Sequence, residues 1–174
     1  TTRGIAMHEI NTYWKQEQAV ELSQLTPTDE SLGKEGYRLT FSPPTIQVEA
    51  NSDLGLLYGV YDLLRRQETG NLIQEGIINE VPAYQYRVLN HWDNPDLSVE
   101  RGYAGNSLWK WEQLPDTLSP VYEEYARANA SIGINCTVLN NVNADPIMLT
   151  TDYLYKVKAL ADIFRPYGLK VYIS

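Results

Sequence analysis

The sequence is poor in the residues that build disulfides and metal sites. Its 174 residues include one cysteine, Cys136, and two histidines, His8 and His91, which lie far apart in the chain. A single cysteine excludes an internal disulfide and a CxxC metal motif, and two distant histidines argue against a structural zinc site. Because Cys136 falls within a continuous apolar run, it is most simply a small core residue.

Basic residues and long apolar runs are also scarce. The 14 Lys and Arg residues stand against 22 Asp and Glu residues, a formal net charge of -8. This balance argues against nonspecific binding to nucleic acid, which depends on basic side chains that neutralise phosphates. No run of about 18 apolar residues could span a bilayer, and no secretory signal is visible. The chain begins with Thr1; we therefore expect a missing or processed native N-terminus, and a periplasmic or a cytoplasmic location stays open.

Tyrosine and tryptophan, by contrast, are abundant. The chain has 13 Tyr and 4 Trp but only 2 Phe, and 43% of its residues are hydrophobic. That apolar fraction is ordinary for a folded globular protein. Because Tyr and Trp combine an apolar ring with a polar tip, their surplus indicates wet, concave surfaces as well as a core.

The first 82 residues predict a small α+β domain. Residues 1–36 show little periodicity, but three later segments have the character of strands: residues 37–41, 45–50 and 77–81. The first two are predicted to pair as neighbours. A helical apolar pattern follows the candidate capping residues Ser52 and Asp53 and is predicted to end near Gly70. Residues 1–82 therefore read as a sheet with a packed helix.

From residue 83 onward, strands and helices alternate. Three apolar runs predict strands: residues 86–89, 134–139 and 169–173. One helix is predicted from Ser119 and Pro120 to near Gly133, and a second from near Thr151 to about Pro166. This β-α-β-α-β order predicts a parallel sheet with right-handed crossovers. It is either a small three-stranded layer or a larger α/β domain cut short.

The segment from residue 90 to 111 carries the strongest functional signal. It follows a predicted parallel strand, where α/β enzymes build their sites, and it contains Trp92, Trp109 and Trp111. Aromatic rings among carboxylates suit a sugar. An alternative of about equal weight is that these tryptophans pin a long loop to the core. Asp93 and Glu100 are a candidate glycosidase pair, although solvation and capping are the commoner roles of such carboxylates.

Two motifs in this segment resemble a known family. Residues 89–94 (LNHWDN) and 100–107 (ERGYAGNS) closely resemble the start of the catalytic barrel in family 67 α-glucuronidases. Four other stretches are similar to the same family, the first two to its N-terminal domain: residues 35–37, 55–65, 133–135 and 138–143. A similar small domain precedes the barrel of family 20 hexosaminidases. The resemblance implies an α+β N-terminal domain at 1–82 and an incomplete (β/α) barrel, β-α-β-α-β, at 83–174.

The resemblance also implies an activity and a site. Enzymes of that family remove 4-O-methylglucuronic acid from xylo-oligosaccharides, with inversion and without a cofactor. It implies that Trp92 and Val142 line the pocket for the uronic acid, and that Glu100 and Arg101 hold the site together or touch the sugar. Arg101 could pair with the uronate carboxylate; an ion pair with Glu100 or Asp93 is an equal alternative. The candidate substrate-binding residues are Trp92, Asp93, Glu100, Arg101, Asn140, Asn141 and Val142, the two asparagines because they follow a predicted strand.

The chain departs from the family pattern in its extent. A (β/α)8 barrel takes about 250 residues, and the family's acid and base come from later strands than those predicted here. We therefore assign no catalytic residue and expect this chain alone to be inactive. One alternative is a noncatalytic carbohydrate-binding or interaction module that uses the Trp-rich loop. A binder of phosphate-bearing ligands has less support, because no Gly-rich loop directly follows the first strand. Uncovered edges of a parallel sheet predict a homo-oligomer.

Overall fold

The computed structural model describes residues 1–174, which form two compact units. The first unit comprises residues 1–85 and 130–133, and the second comprises residues 86–129 and 134–174. None of the helices combines the length and the apolar character that a membrane crossing requires.

A four-stranded mixed sheet forms the centre of the first unit. Its strands are β1 (Ala19–Gln24), β2 (Tyr37–Ser42), β3 (Thr45–Ala50) and β4 (Gly76–Glu80). Their order is β1-β3-β2-β4, with β1 parallel to β3 and the remaining pairs antiparallel. The alternating pattern of 37–41 and 45–50 is confirmed, because Leu39, Phe41, Ile46 and Val48 are all buried. The first unit is therefore a small α+β domain.

Helix α2 (Asp53–Thr69) supplies much of the core of this unit. The Ser52 side chain caps its first turn by accepting a hydrogen bond from the backbone N–H of Gly55, at 3.1 Å. Gly70 ends it in the left-handed conformation, with φ of 70°. Residues 55–64 are buried without interruption, and Gly59 lets the helix approach β3, since an added Cβ would lie 2.7 Å from Val48. The predicted helix is confirmed, with Ser52 as its cap.

Helix α1 (Thr2–Tyr13) was not predicted, because residues 1–36 offer few apolar positions. Its buried residues are Ala6, Glu9 and Ile10, which follow the i, i+3, i+4 spacing of one helical face. One of them is a carboxylate, which accepts a hydrogen bond from the Tyr61 hydroxyl at 3.3 Å. Because Glu9 is polar although it is buried, the sequence pattern did not indicate an apolar helical face here.

The second unit contains the β-α-β-α-β order predicted for it. Three short strands, β5 (Val88–Asn90), β6 (Cys136–Val138) and β7 (Lys170–Tyr172), pair in parallel in the order β5-β6-β7. Helix α3 (Pro120–Ser131) connects the first pair and α4 (Thr151–Phe164) the second. Each strand has three residues and is shorter than the apolar run that predicted it.

The two faces of this sheet differ in what covers them. On one face, the Thr137 hydroxyl lies 2.8 Å from the Tyr125 hydroxyl of α3, and the Phe164 ring of α4 packs 5.6 Å from the Tyr125 ring. The other face carries no helix and lines an open cavity of about 400 Å³, whose apolar residues are Tyr86, Val88, Val138, Tyr172 and Ile173. We call this surface the open sheet face.

Candidate functional site

The loop that follows β5 is fixed to the core by two of its three tryptophans. Trp109 is fully buried and Trp111 is 1% exposed. The indole N–H of Trp109 donates to the carbonyl of Leu139, at 3.1 Å, directly beyond β6. Trp92, in contrast, is 48% exposed. The pinning interpretation therefore describes Trp109 and Trp111, and only Trp92 presents its ring to solvent.

Asp93 accepts two hydrogen bonds that join distant parts of the chain, and a third bond extends this link from Ser107 to Trp109. Its carboxylate accepts from the Ser107 hydroxyl at 2.5 Å, and the Ser107 oxygen accepts from the Trp109 backbone N–H at 3.0 Å. Its backbone carbonyl accepts from the N–H of Asn141 at 2.8 Å, which ties the loop after β5 to the loop after β6. The residue is only 3% exposed. This placement makes Asp93 a support of the loop.

His91 connects Asp93 to the helix layer. Its Nε2 atom lies 2.7 Å from the Tyr125 hydroxyl, and its Nδ1 atom lies 3.7 Å from the Asp93 carboxylate. Burial lowers the pKa of His91 below its ordinary value, and the Asp93 charge opposes that effect only partly. The ring is therefore neutral at neutral pH and acts as a hydrogen-bonding support beside the strand.

Glu100 adopts a left-handed backbone conformation, with φ of 59°. Its N–H donates to the carbonyl of Trp92 at 2.8 Å. Its own carbonyl accepts from the side-chain amides of Asn94, at 2.9 Å, and Asn141, at 3.4 Å. Local desolvation and the Glu100 carboxylate raise the pKa of the neighbouring Tyr103 phenol. Three hydrogen bonds thus hold the left-handed backbone of Glu100, and the Glu100 carboxylate interacts with the exposed phenol of Tyr103.

Asn140 and Asn141 use their side chains within the protein. They are 2% and 6% exposed. The Asn140 amide exchanges two hydrogen bonds with the backbone of Ser174, at 2.7 and 3.0 Å, and the Asn141 side-chain oxygen accepts from the Asn143 N–H at 3.0 Å. Both residues hold the segment that follows β6, at the carboxyl end of the central strand.

Trp92 and Val142 are the exposed apolar side chains on this scaffold, and one backbone bond joins their neighbours in sequence. The bond between the Asn141 N–H and the Asp93 carbonyl joins the residue before Val142 to the residue after Trp92. Val142 is 72% exposed, so an aliphatic side chain and an indole ring both face solvent at this edge. Arg101 is exposed as well and forms none of the ion pairs of the structure, Glu100 and Asp93 included. The loop therefore has an accessible indole ring at Trp92 and an exposed cation at Arg101, the residue after Glu100, whose N–H bonds to the Trp92 carbonyl.

Several residues of this region were not among the predicted ones. Ser107, Tyr125 and Thr137 complete the support around Asp93 and His91. Tyr103 is 76% exposed next to Glu100. Ser107 and Tyr103 lie inside the quoted motif at 100–107, so the motif contained their signal, whereas Tyr125 and Thr137 reach the site only through the packing of α3 on β6. No group of three or more His, Cys, Asp and Glu residues could hold a metal ion.

Comparison with known families divides the chain in two. The profile of the glycosyl hydrolase family 67 middle domain matches residues 66–174, and that of glycosyl hydrolase family 20 domain 2 matches residues 2–79. The chain is 39% identical over 144 residues to a probable alpha-glucuronidase A of Neosartorya fischeri, covering 82% of the chain and 17% of the relative. It is 36% identical over 146 residues to alpha-glucuronidase A of Emericella nidulans, covering 80% and 17%. It is 33% identical over 175 residues to alpha-glucuronidase A of Aspergillus tubingensis, covering 100% of the chain and 20% of the relative.

Solved structures share the fold. A GH138 enzyme targeting pectin rhamnogalacturonan II superposes with a TM-score of 0.64 at 13% identity, over 97% of this chain and 23% of that protein. The protein CpGH84B superposes with a TM-score of 0.58 at 17% identity, over 99% and 31%. The chain thus spans about a fifth of the length of the curated relatives it matches.

Proposed function

The chain belongs to glycoside hydrolase family 67, and from this premise we propose that it is part of an α-glucuronidase. Such an enzyme hydrolyses the bond that joins (4-O-methyl)glucuronic acid to a xylo-oligosaccharide, with inversion. Residues 1–82 would form its N-terminal accessory domain and residues 83–174 the first part of its catalytic barrel. The relatives named alpha-glucuronidase A support the activity.

The open sheet face supports the barrel assignment. Parallel sheets are normally covered on both faces, and in a (β/α)8 barrel the helices cover one face while layered side chains fill the other. Here α3 and α4 cover one face, and Tyr86, Val88 and Tyr172 stay exposed on the other. Such residues fit the interior of a barrel that further strands would close.

The observation that carries the substrate proposal is the exposure of Trp92 and Val142 on two loops that are bonded to each other. Both are exposed, and one backbone bond joins their neighbours at the carboxyl ends of adjacent strands. The indole ring suits the C–H face of a pyranose, and Arg101 suits the carboxylate of a uronic acid because its guanidinium presents two parallel donors. Glu100 would accept a sugar hydroxyl. Asp93, Asn140 and Asn141 would support the two loops, given their burial.

The test follows the four indole signals of the ¹⁵N-labelled chain during a titration with glucuronic acid at millimolar concentration. We expect the signal that Trp92→Phe removes to shift, while the signals of the buried Trp109 and Trp111 stay in place. Xylose at the same concentration is the control for a neutral sugar. Absence of any shift in the Trp92 signal, or equal shifts with xylose, would contradict the uronic acid assignment.

A second measurement concerns the reaction. An inverting glycosidase needs two carboxyl groups about 6.5–9.5 Å apart with a water between them. We assign no such pair in this chain, since the carboxylate of Asp93 is buried and bonded to Ser107. We therefore expect no release of glucuronic acid from aldouronic acids by the chain alone. Release at the rate of a complete enzyme would contradict the proposal.

A further inference from the structure

A second concave surface lies at the start of helix α4, and neither Trp92 nor Val142 lines it. Its volume is about 450 Å³, within the usual range for small-molecule sites. We call it the α4 groove, and the lining residues used below are Pro115, Ile147, Asp152, Tyr153, Tyr155 and Lys156. We propose that the α4 groove binds neutral pyranose units of a xylo-oligosaccharide.

The groove offers aromatic and aliphatic surface in one place. Tyr155 is 62% exposed and Ile147 is 43% exposed, although both have large apolar side chains. Single exposed apolar residues need no explanation, but a group of them around a concavity marks a binding surface. The Tyr155 ring combines an apolar face, which suits the C–H face of a pyranose, with a hydroxyl that can bond to a sugar oxygen.

The second tyrosine is held in place before any ligand arrives. The Tyr153 ring packs 5.8 Å from the Trp111 ring, and the Lys156 Nζ atom lies 4.7 Å from the centre of the Tyr153 ring. The same Nζ atom donates to the Trp111 carbonyl at 2.7 Å. Because these contacts fix Tyr153 in advance, little side-chain entropy remains to be lost when a ligand binds.

The charges around the groove favour a neutral ligand. Its one cation, Lys156, is already engaged by the Trp111 carbonyl and the Tyr153 ring. Asp152 lines the groove, and desolvation, followed by the charges of Asp145 and Glu112, raises the pKa of Tyr153. Carboxylates accept hydrogen bonds from sugar hydroxyls but repel another carboxylate. The groove therefore disfavours a uronic acid, whereas the loop that carries Arg101 favours one.

The groove itself is independent of the proposed function, but the choice of a xylo-oligosaccharide as its ligand rests on that function. The experiment titrates xylohexaose, and separately glucuronic acid, into the ¹⁵N-labelled chain. We expect xylohexaose to shift the backbone amides of residues 147–156, and Tyr155→Ala to weaken that binding about tenfold. Tyr84→Ala is the matched control, because Tyr84 is 74% exposed in the first unit and should not affect the affinity.

Trp92→Ala separates this proposal from the proposed function. We expect this variant to lose the response to glucuronic acid and to keep the response of residues 147–156 to xylohexaose. If glucuronic acid binds nowhere but xylohexaose still shifts these amides, the proposed function fails and the groove stands as a sugar site. The groove proposal is overturned if xylohexaose leaves these amides unshifted, if Tyr155→Ala binds it as tightly as the unaltered chain, or if Trp92→Ala abolishes the response.

Discussion

At the scale of single residues, the hydroxyl of Ser107 has an unusually large structural role. It donates to the buried carboxylate of Asp93 at 2.5 Å and accepts from the N–H of Trp109 at 3.0 Å. Removing one donor from a buried carboxylate leaves that group short of a partner, which costs more than the lost bond itself. The two bonds join the start and the middle of the loop after β5, so their loss would act on the whole loop.

We therefore expect Ser107→Ala to lower the free energy of unfolding by about 1–3 kcal/mol, measured by urea denaturation. Ser31→Ala is the matched control. Its hydroxyl also donates to a carboxylate, that of Asp29 at 2.6 Å, but this pair is exposed to solvent. The control should cost less than about 1 kcal/mol. Equal effects of the two variants would show that burial of Asp93 is not the source of the loss.

We expect the free energy of unfolding to depend on pH through His91. Burial, opposed by the Asp93 charge, lowers its pKa in the folded state, so below about pH 6.5 the unfolded chain binds a proton that the folded chain resists. Stability is then complete above that pH and falls as the pH decreases, by at most about 1.4 kcal/mol per pH unit. Urea midpoints at pH 7.5, 6.5 and 5.5 should decline less steeply for His91→Gln than for the unaltered chain. Parallel declines would exclude His91 as the titrating group.

At the scale of elements, α2 depends on a glycine that propensity alone disfavours. Alanine is preferred over glycine inside helices by about 1 kcal/mol. At Gly59, however, the added Cβ would lie 2.7 Å from Val48 and 3.2 Å from the Tyr37 ring. Overpacking of this kind usually costs about 1–3 kcal/mol.

We expect Gly59→Ala to destabilise the first unit by about 1–3 kcal/mol in thermal or urea unfolding. Gly4→Ala in α1 is the control, since its Cβ meets only the Thr1 Oγ1 atom, at 3.1 Å, in an exposed first turn of the helix. That variant should be neutral or slightly stabilising. A stabilising effect at both positions would mean that α2 can move away from β3 without cost.

The elements differ in how much of them the sequence could reveal. Helix α2 was predicted from both ends because its caps and apolar face agree. Helix α1 was not predicted, because its buried face is short and one of its three buried residues, Glu9, is a carboxylate. Strand β1 pairs in parallel with β3, whose residues lie about 26 positions later in the sequence. The local pattern of β1 therefore does not reveal its partner. Local sequence patterns therefore predict single helices and strands well, but they predict poorly which distant segments pair with each other.

The candidate site shows the same division. The sequence singled out the loop after β5, and it left open whether its tryptophans bind a ligand or pack in the core. Packing decided this for Trp109, whose indole bonds to Leu139 thirty residues away. The support of His91 by Tyr125 also arises only when α3 lies on β6. Residue types identified the region, whereas the fold determined which side chains remain accessible.

At the scale of the whole molecule, the open sheet face should govern how the isolated chain behaves in solution. Parallel sheets are rarely left uncovered, and exposed strand edges promote pairing between chains. In this sheet β5 and β7 are both edges, and Tyr86, Val88 and Tyr172 are exposed. If further strands close a barrel in the complete protein, the same residues would be covered there.

We therefore expect the isolated chain to self-associate through the open sheet face in a concentration-dependent manner, measured by sedimentation velocity. Val88→Glu should shift the distribution towards monomer, because it places a charge on a surface that association would bury. Ile77→Glu is the matched control: the residue is 62% exposed on β4, whereas Val88 is 48% exposed on β5. If the unaltered chain is monomeric at all concentrations, or if Ile77→Glu disrupts association as strongly as Val88→Glu, the open sheet face is not the contact. Agreement would tie the oligomeric state to the surface that we assign to the barrel interior.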